Sequence, residues 1–140
     1  MLGLDVGDRR VGLAVSDASG TLARPLRTIT RRGTIRDVLT EVADEIRRLE
    51  ADDDSLGGIV VGLPRRLDGA DTEQTVRVRR FADRLRALTA LPLAFQDERL
   101  SSREAERRLA LVERDWRRRK RTLDAAAAAV ILQDHLDQLR

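Results

Sequence analysis

Three acidic positions in this chain could act together on a phosphate. Asp5 sits in the apolar segment Leu2-Gly3-Leu4-Asp5-Val6, just before Gly7, whose missing side chain lets a backbone or a phosphate come close. Asp97 and Glu98 end a second short apolar segment, and Asp124 precedes five consecutive alanines, Ala125 to Ala129. Carboxylates gathered in one crevice repel each other and resist ionisation unless a cation neutralises them. All-oxygen ligand sets favour Mg²⁺ or Mn²⁺ over zinc, so convergence of these acids would make a metal site. Successive strand residues face opposite sides, so only one of Asp97 and Glu98 can face Asp5. Each acid also has a plainer reading. Asp8 and Asp68 suit turns, Asp17 can end a hairpin, and Asp124 suits the first turn of a helix, where the dipole favours an acid.

The bases suggest what such a site would act on. Twenty-seven Lys and Arg against 24 Asp and Glu leave a net charge of only +3, but the distribution is uneven. Arg114, Arg117, Arg118, Arg119, Lys120 and Arg121 are opposed locally by Asp115 alone, a field suited to nucleic-acid phosphates, although a solvated charge run is the alternative. Trp116 in this run could stack on a base or anchor the segment to the core. With three aromatic residues in all, stacking is not the main source of affinity. There is no cysteine, so disulfides, thiolate metal sites and a cysteine nucleophile are excluded. The one histidine, His135, lies about three helical turns beyond Asp124 and reads as a helix-surface residue. No apolar stretch approaches the roughly 20 residues of a membrane span, and the first residues lack a signal-peptide pattern, so a cytoplasmic protein without membrane contact is expected.

The elements that would position these groups follow from periodicity. Leu2–Val6 and Val11–Val15, separated by Gly7-Asp8-Arg9-Arg10, predict a hairpin. Residues 22–30 form a third extended segment, and Pro25 assigns it to an edge or a bulge. Ile35, Val38, Leu39, Val42, Ile46 and Leu49 predict an amphipathic helix capped by Thr34. Gly58 to Gly62 reads as a central strand covered on both faces, and the segment after it, with Pro64 and Asp68-Gly69, as a loop. A second helix capped by Asp71 or Thr72 would bury Val78, Phe81, Leu85 and Leu88. Leu91–Asp97 predicts the last strand. Ser101 and Glu104 open a third helix, and a basic loop with Trp116 leads to a final helix from about Thr122 to Leu139. The 140 residues suit a single domain, a mixed α/β sheet whose last two strands enter by crossovers.

Four segments carry a family resemblance. They are Asp5-Val6-Gly7-Asp8-Arg9-Arg10-Val11-Gly12-Leu13-Ala14-Val15-Ser16-Asp17, Val60-Val61-Gly62-Leu63-Pro64 with Asp68-Gly69, Asp97-Glu98-Arg99-Leu100-Ser101, and Leu123-Asp124-Ala125-Ala126-Ala127 before Ile131-Leu132-Gln133-Asp134. In this order they resemble the motifs of the YqgF/RuvX family and span nearly the whole chain. The resemblance implies a ribonuclease H-like fold with a mixed five-stranded sheet, its first three strands antiparallel and helices on both faces. It implies a nuclease that matures the 5′ end of precursor 16S ribosomal RNA, meeting RNA in ribosomal precursor particles. Relatives of this family have also been assigned as Holliday-junction resolvases acting on DNA.

Carried over by position, the resemblance makes Asp5, Glu98 and Asp124 the catalytic acids and the ligands of two Mg²⁺ or Mn²⁺ ions, and so selects Glu98 over Asp97. Arg10, Arg99, Arg117, Arg118, Arg119, Lys120 and Arg121 become the groups expected to hold the phosphodiester backbone, with ion pairing to nearby acids as their alternative role. Arg65-Arg66 departs from the less charged loop of many relatives, which bears on substrate choice. A junction resolvase would need two active sites, hence a dimer, whereas an RNA nuclease could act as a monomer or a homodimer. Two other readings compete. The Asp5-Val6-Gly7 turn also suits an actin-like ATP-binding domain, but the chain is short for a second lobe and Glu98 and Asp124 would go unused. A non-catalytic nucleic-acid-binding module would not need all three acids.

Overall fold

The structure, a computed structural model, describes residues 1–52, 56–98 and 116–139, with 116–122 as backbone only. The elements run β1 (Leu2–Val6), β2 (Arg10–Ser16), β3 (Ala23–Thr30), α1 (Ile35–Asp52), β4 (Ile59–Leu63), α2 (Glu73–Arg86), β5 (Leu93–Asp97) and α3 (Trp116–Gln138). Five strands form one sheet in the order β3-β2-β1-β4-β5. β1 pairs antiparallel with β2, and β2 with β3, while β1 with β4 and β4 with β5 are parallel. This is the ribonuclease H-like α/β arrangement, with β1 at its centre.

The hairpin closes where its turn residues place it, with the Gly7 amide donating to the Arg10 carbonyl at 2.9 Å. β3 lies on the edge, and its register with β2 shifts between Leu13, opposite Arg27, and Ala14, opposite Pro25. Pro25 has no amide to give to a ladder, so an edge position and a shift beside it are where proline is tolerated. Thr34 and Asp37 cap α1 reciprocally, the Thr34 amide donating to Asp37 Oδ2 at 3.0 Å and the Asp37 amide to Thr34 Oγ1 at 3.3 Å. Thr72, not Asp71, caps α2, in a box completed by Thr75. That helix stops at Arg86, so Leu88 falls beyond it and is 46% exposed instead of joining the buried stripe.

The two sheet faces carry different cores. α1 and α2 cover one face, where Leu2, Leu4, Val6, Val61 and Leu63 meet Val38, Val42, Ile46, Val78, Phe81 and Leu85. The other face is covered by α3, whose Ala128, Ile131, Leu132 and Leu136 pack on Ala14 and Val60. Burial at roughly 25 cal/mol per Å² of apolar surface stabilises both layers. The sheet residues beneath α3 are small, and at Gly12 the approach is so close that a Cβ would overlap the carbonyl of Asp124.

α3 begins earlier than its sequence pattern indicates. The basic run from Trp116 to Arg121 forms the first turns of the helix rather than a connecting loop. Arginine and lysine are strong helix formers, and no glycine or proline interrupts the segment, so the helix extends through the charges. Asp124 therefore lies well inside α3, and the first-turn reading of this acid does not hold. The expected helix opening at Ser101 lies outside the described residues.

Substituting Gly12→Ala should lower stability by about 1–3 kcal/mol, as overpacking of a closed interface does. Thermal or urea denaturation measures this, and an unchanged stability would show that α3 is not seated on β2 at this point.

Candidate active site

β1 directs alternate residues to the two faces, so Gly3 and Asp5 point toward α3 while Leu4 and Val6 enter the opposite core. Asp5 pairs in register with Gly12, the residue on which the Asp124 backbone rests. The missing side chain at Gly12 thus sets Asp124 beside the central strand's acid.

β5 brings the third acid. Gly62 is in register with Gln96, and the ladder continues past the strand, where the Glu98 amide donates to the Leu63 carbonyl at 3.3 Å. Alternation then turns Gln96 and Glu98 to the α3 face and Asp97 away from it. A Cβ at Gly62 would stand 2.8 Å from Glu98 Oε2, so this glycine makes room for the carboxylate. Among the described residues that buried oxygen accepts no hydrogen bond.

The electrostatics register the crowding. Burial, followed by repulsion from Asp124, pushes the Asp5 carboxyl up to about 7. Burial, followed by the charges of Asp5 and Asp97, pushes Glu98 up to about 8. Asp124 faces a cation instead, its Oδ2 lying 2.6 Å from Arg10 Nε, in an ion pair between half-buried side chains. Asp5 is therefore near enough to feel Asp124, and Glu98 near enough to feel Asp5. They do not form a closed cage, since among the described residues no group of three His, Cys, Asp or Glu is gathered as metal ligands would be. Their chemistry nonetheless fits a hard divalent ion, because the donors are carboxylate oxygens and Glu98 Oε2 is buried without a partner.

Of the bases expected to hold phosphate, Arg10 lies beside the acids. Arg99 lies outside the described residues, as do the side chains of Arg117, Arg118, Arg119, Lys120 and Arg121, whose backbone forms the start of α3. His135 is half-buried on α3, more than two turns from Asp124. Arg65 lies 3.6 Å from Asp71 in the loop after β4. The glycines Gly12 and Gly62 were not singled out by sequence reasoning as parts of a site. Their signal was each one's place opposite a polar residue in a pairing register that the sequence does not state.

With this geometry in view, the family described as "RuvX: Holliday junction resolvase" matches residues 1–138. The chain belongs to the RuvX family. Relatives named "Putative pre-16S rRNA nuclease" include one from Caldanaerobacter subterraneus, 39% identical over 98% of this chain and 95% of the relative. Another from Ruegeria pomeroyi is 40% identical over 100% of this chain and 87% of the relative, and one from Synechococcus is 42% identical over 99% and 89%. Among solved structures, the chain is similar in fold to Thermus thermophilus RuvC in complex with a Holliday junction substrate. That likeness has a TM-score of 0.55 at 13% identity, over 99% of this chain and 93% of the RuvC chain. Among the described residues no helix is long and apolar enough to cross a membrane.

The raised acids predict a pH dependence with a definite sign. Between the ordinary carboxyl values and about 7 to 8, the folded protein holds protons that the unfolded chain has released, so stability falls as pH rises through this window. Without divalent cation, Tm should be lower at pH 8 than at pH 5.5, and Glu98→Gln should flatten the difference. Added Mn²⁺ should raise Tm most at pH 8, where binding displaces fewest protons. A cation-free Tm that climbs from pH 5.5 to 8 and is unchanged by Glu98→Gln would overturn this account.

Proposed function

We propose that this chain is a divalent-cation-dependent nuclease that hydrolyses phosphodiester bonds in the 5′-end maturation of precursor 16S ribosomal RNA. The observation that carries the reading is the pair of half-buried carboxyls at the carboxyl ends of β1 and β5, with Asp124 set over them by α3. Such an arrangement is costly for a fold and is compensated when a cation takes the place of the protons. The names of the relatives supply the RNA substrate, and precursor ribosomal particles are the setting in which it would be met.

In this reading Asp5, Glu98 and Asp124 would be the residues that hold Mg²⁺ or Mn²⁺. When bound, the ions supply Lewis acidity, which activates water and offsets charge on the phosphate. Asp5 and Glu98 give up their protons as the site fills. Arg10, paired with Asp124 at 2.6 Å, would be placed to neutralise a phosphate oxygen of the substrate if Asp124 turned to a cation. Water adds to phosphorus, the bond to the leaving oxygen breaks, and that oxygen gains a proton. The chain itself positions the strand and needs no histidine base.

The family's description favours a second reading, a resolvase that nicks DNA four-way junctions. It would require a homodimer with two sites, whereas RNA cutting can proceed in a monomer or a homodimer. Purified wild type and Asp5→Asn, given Mn²⁺ and either labelled precursor 16S 5′-end RNA or a DNA four-way junction, separate the readings. Wild type should cut the RNA, and Asp5→Asn should cut it at least about 100-fold more slowly, beyond the 10–100-fold typical of losing an outer-shell partner. Paired symmetric nicks in the junction alone would establish the resolvase, and cleavage of neither would remove the nuclease reading.

A further inference from the structure

Around the end of β1 from the acids lies a second cationic feature. A cleft of about 290 Å³ opens between the β1–β2 turn and α2, floored by Val6, Ile35 and Phe81 and rimmed by Arg31, Arg77, Arg80 and Arg84. It adjoins a shallower depression beside Arg9 and Arg32 that shares Asp8 and Arg31 with it. The Arg31 amide donates to the Arg9 carbonyl at 2.7 Å, so the two walls are held by the end of the sheet rather than by loose loops.

The charge pattern of α2 points to a ligand. Arg77, Arg80 and Arg84 stack at i, i+3 and i+7 on one helix face, and like charges at these spacings destabilise a helix. Elsewhere on α2 the arginines are compensated, Arg79 by Asp71 at 2.5 Å and Arg86 by Asp83 at 2.8 Å. Along the cleft, only Arg77 has acidic neighbours, Asp8 at 3.2 Å and Glu73 at 3.8 Å. Among the described residues Arg80 and Arg84 form no ion pair. Seven residues of helix place the ends of this stripe about 10 Å apart, longer than one phosphate group needs.

We propose that this cleft holds the phosphodiester backbone of a single RNA strand on one side of the bond being cut, as a phosphate track separate from the acid site. Gly7 begins the turn two residues after Asp5, at most about 7 Å along the chain, so a nucleic-acid strand crossing that turn reaches both sites. The arginine rim neutralises successive phosphates, and the apolar floor gives their sugars or bases a dry surface. A cleft of about 290 Å³ admits one flexible strand more readily than a stiff duplex. The inference rests on the nuclease reading and adds to it the path of the substrate.

The test compares wild type with Arg80→Ala/Arg84→Ala, two exposed positions whose removal relieves like-charge repulsion and should leave Tm unchanged or higher. Fluorescence anisotropy with a labelled single-stranded 20-nucleotide RNA, in EDTA over a salt series, should show affinity on the order of tenfold weaker at low salt. The slope of log K against log salt should be shallower by about 1.4, as expected for two lost single-strand phosphate contacts. Hydrolysis of bis-p-nitrophenyl phosphate with Mn²⁺, a substrate too small to enter the track, should stay within about twofold of wild type. Unchanged RNA affinity and salt slope, with wild type active on the small ester, would overturn the track and leave these arginines to a protein partner. A wild type that neither binds RNA nor hydrolyses the ester would remove the nuclease reading, and the track with it.

Discussion

The seating of α3 on a sheet face opened by Gly3, Gly12 and Gly62 is the contact on which the site depends. Gly12 admits the Asp124 backbone directly onto β2, and Ala128, Ile131 and Leu132 continue the contact across Ala14 and Val60. A side chain at Gly12 would collide with the Asp124 backbone, and one at Gly3 with Leu132. The alanine run serves the same end from the helix side, so the position of Asp124 follows from packing. Burial of apolar surface by α3 thereby offsets the cost of holding an acid against another acid.

That cost shapes the rest of the site. Burial pushes the Asp5 and Glu98 carboxyls up, with Asp124 adding to the first and Asp5 and Asp97 to the second, while Asp124 is paired with Arg10. The same three groups would shed protons and the arginine together when a cation arrives, which couples metal binding to pH and to stability. Gly62 belongs to this balance. It leaves space for Glu98 at the one point where a side chain on β4 would displace it.

β1 divides the molecule into two chemistries. Through Asp5 it presents acid to the α3 side, and through Val6 it supports the arginine-rimmed cleft on the α1 and α2 side. The Gly7 turn forms the ridge between them. An anionic polymer meets repulsion at the acids until cations are present, and attraction from the arginines at any time. In the proposed reading, binding and chemistry fall on different faces of one strand end.

Much of the fold was legible in the sequence, because hydrophobic period and turn residues are local. The hairpin, the proline-marked edge strand, the amphipathic α1 and the apolar β4 all follow from neighbours within a few residues. The acids were legible as types, and their family resemblance selected Glu98 over Asp97. Boundaries carried by charged residues were less so. The basic run that opens α3 has no apolar period to announce a helix, and Leu88 matches the α2 stripe although the helix ends before it. What the sequence by itself determined was which residues form each element and which groups could do chemistry. Only the tertiary structure decided that Asp124 rests on Gly12, that Glu98 fills the space left by Gly62, and that Arg77, Arg80 and Arg84 face Arg31 across a cleft. Those relations depend on strand register and on how closely a helix approaches a sheet, and both are set by contacts between residues far apart in the chain.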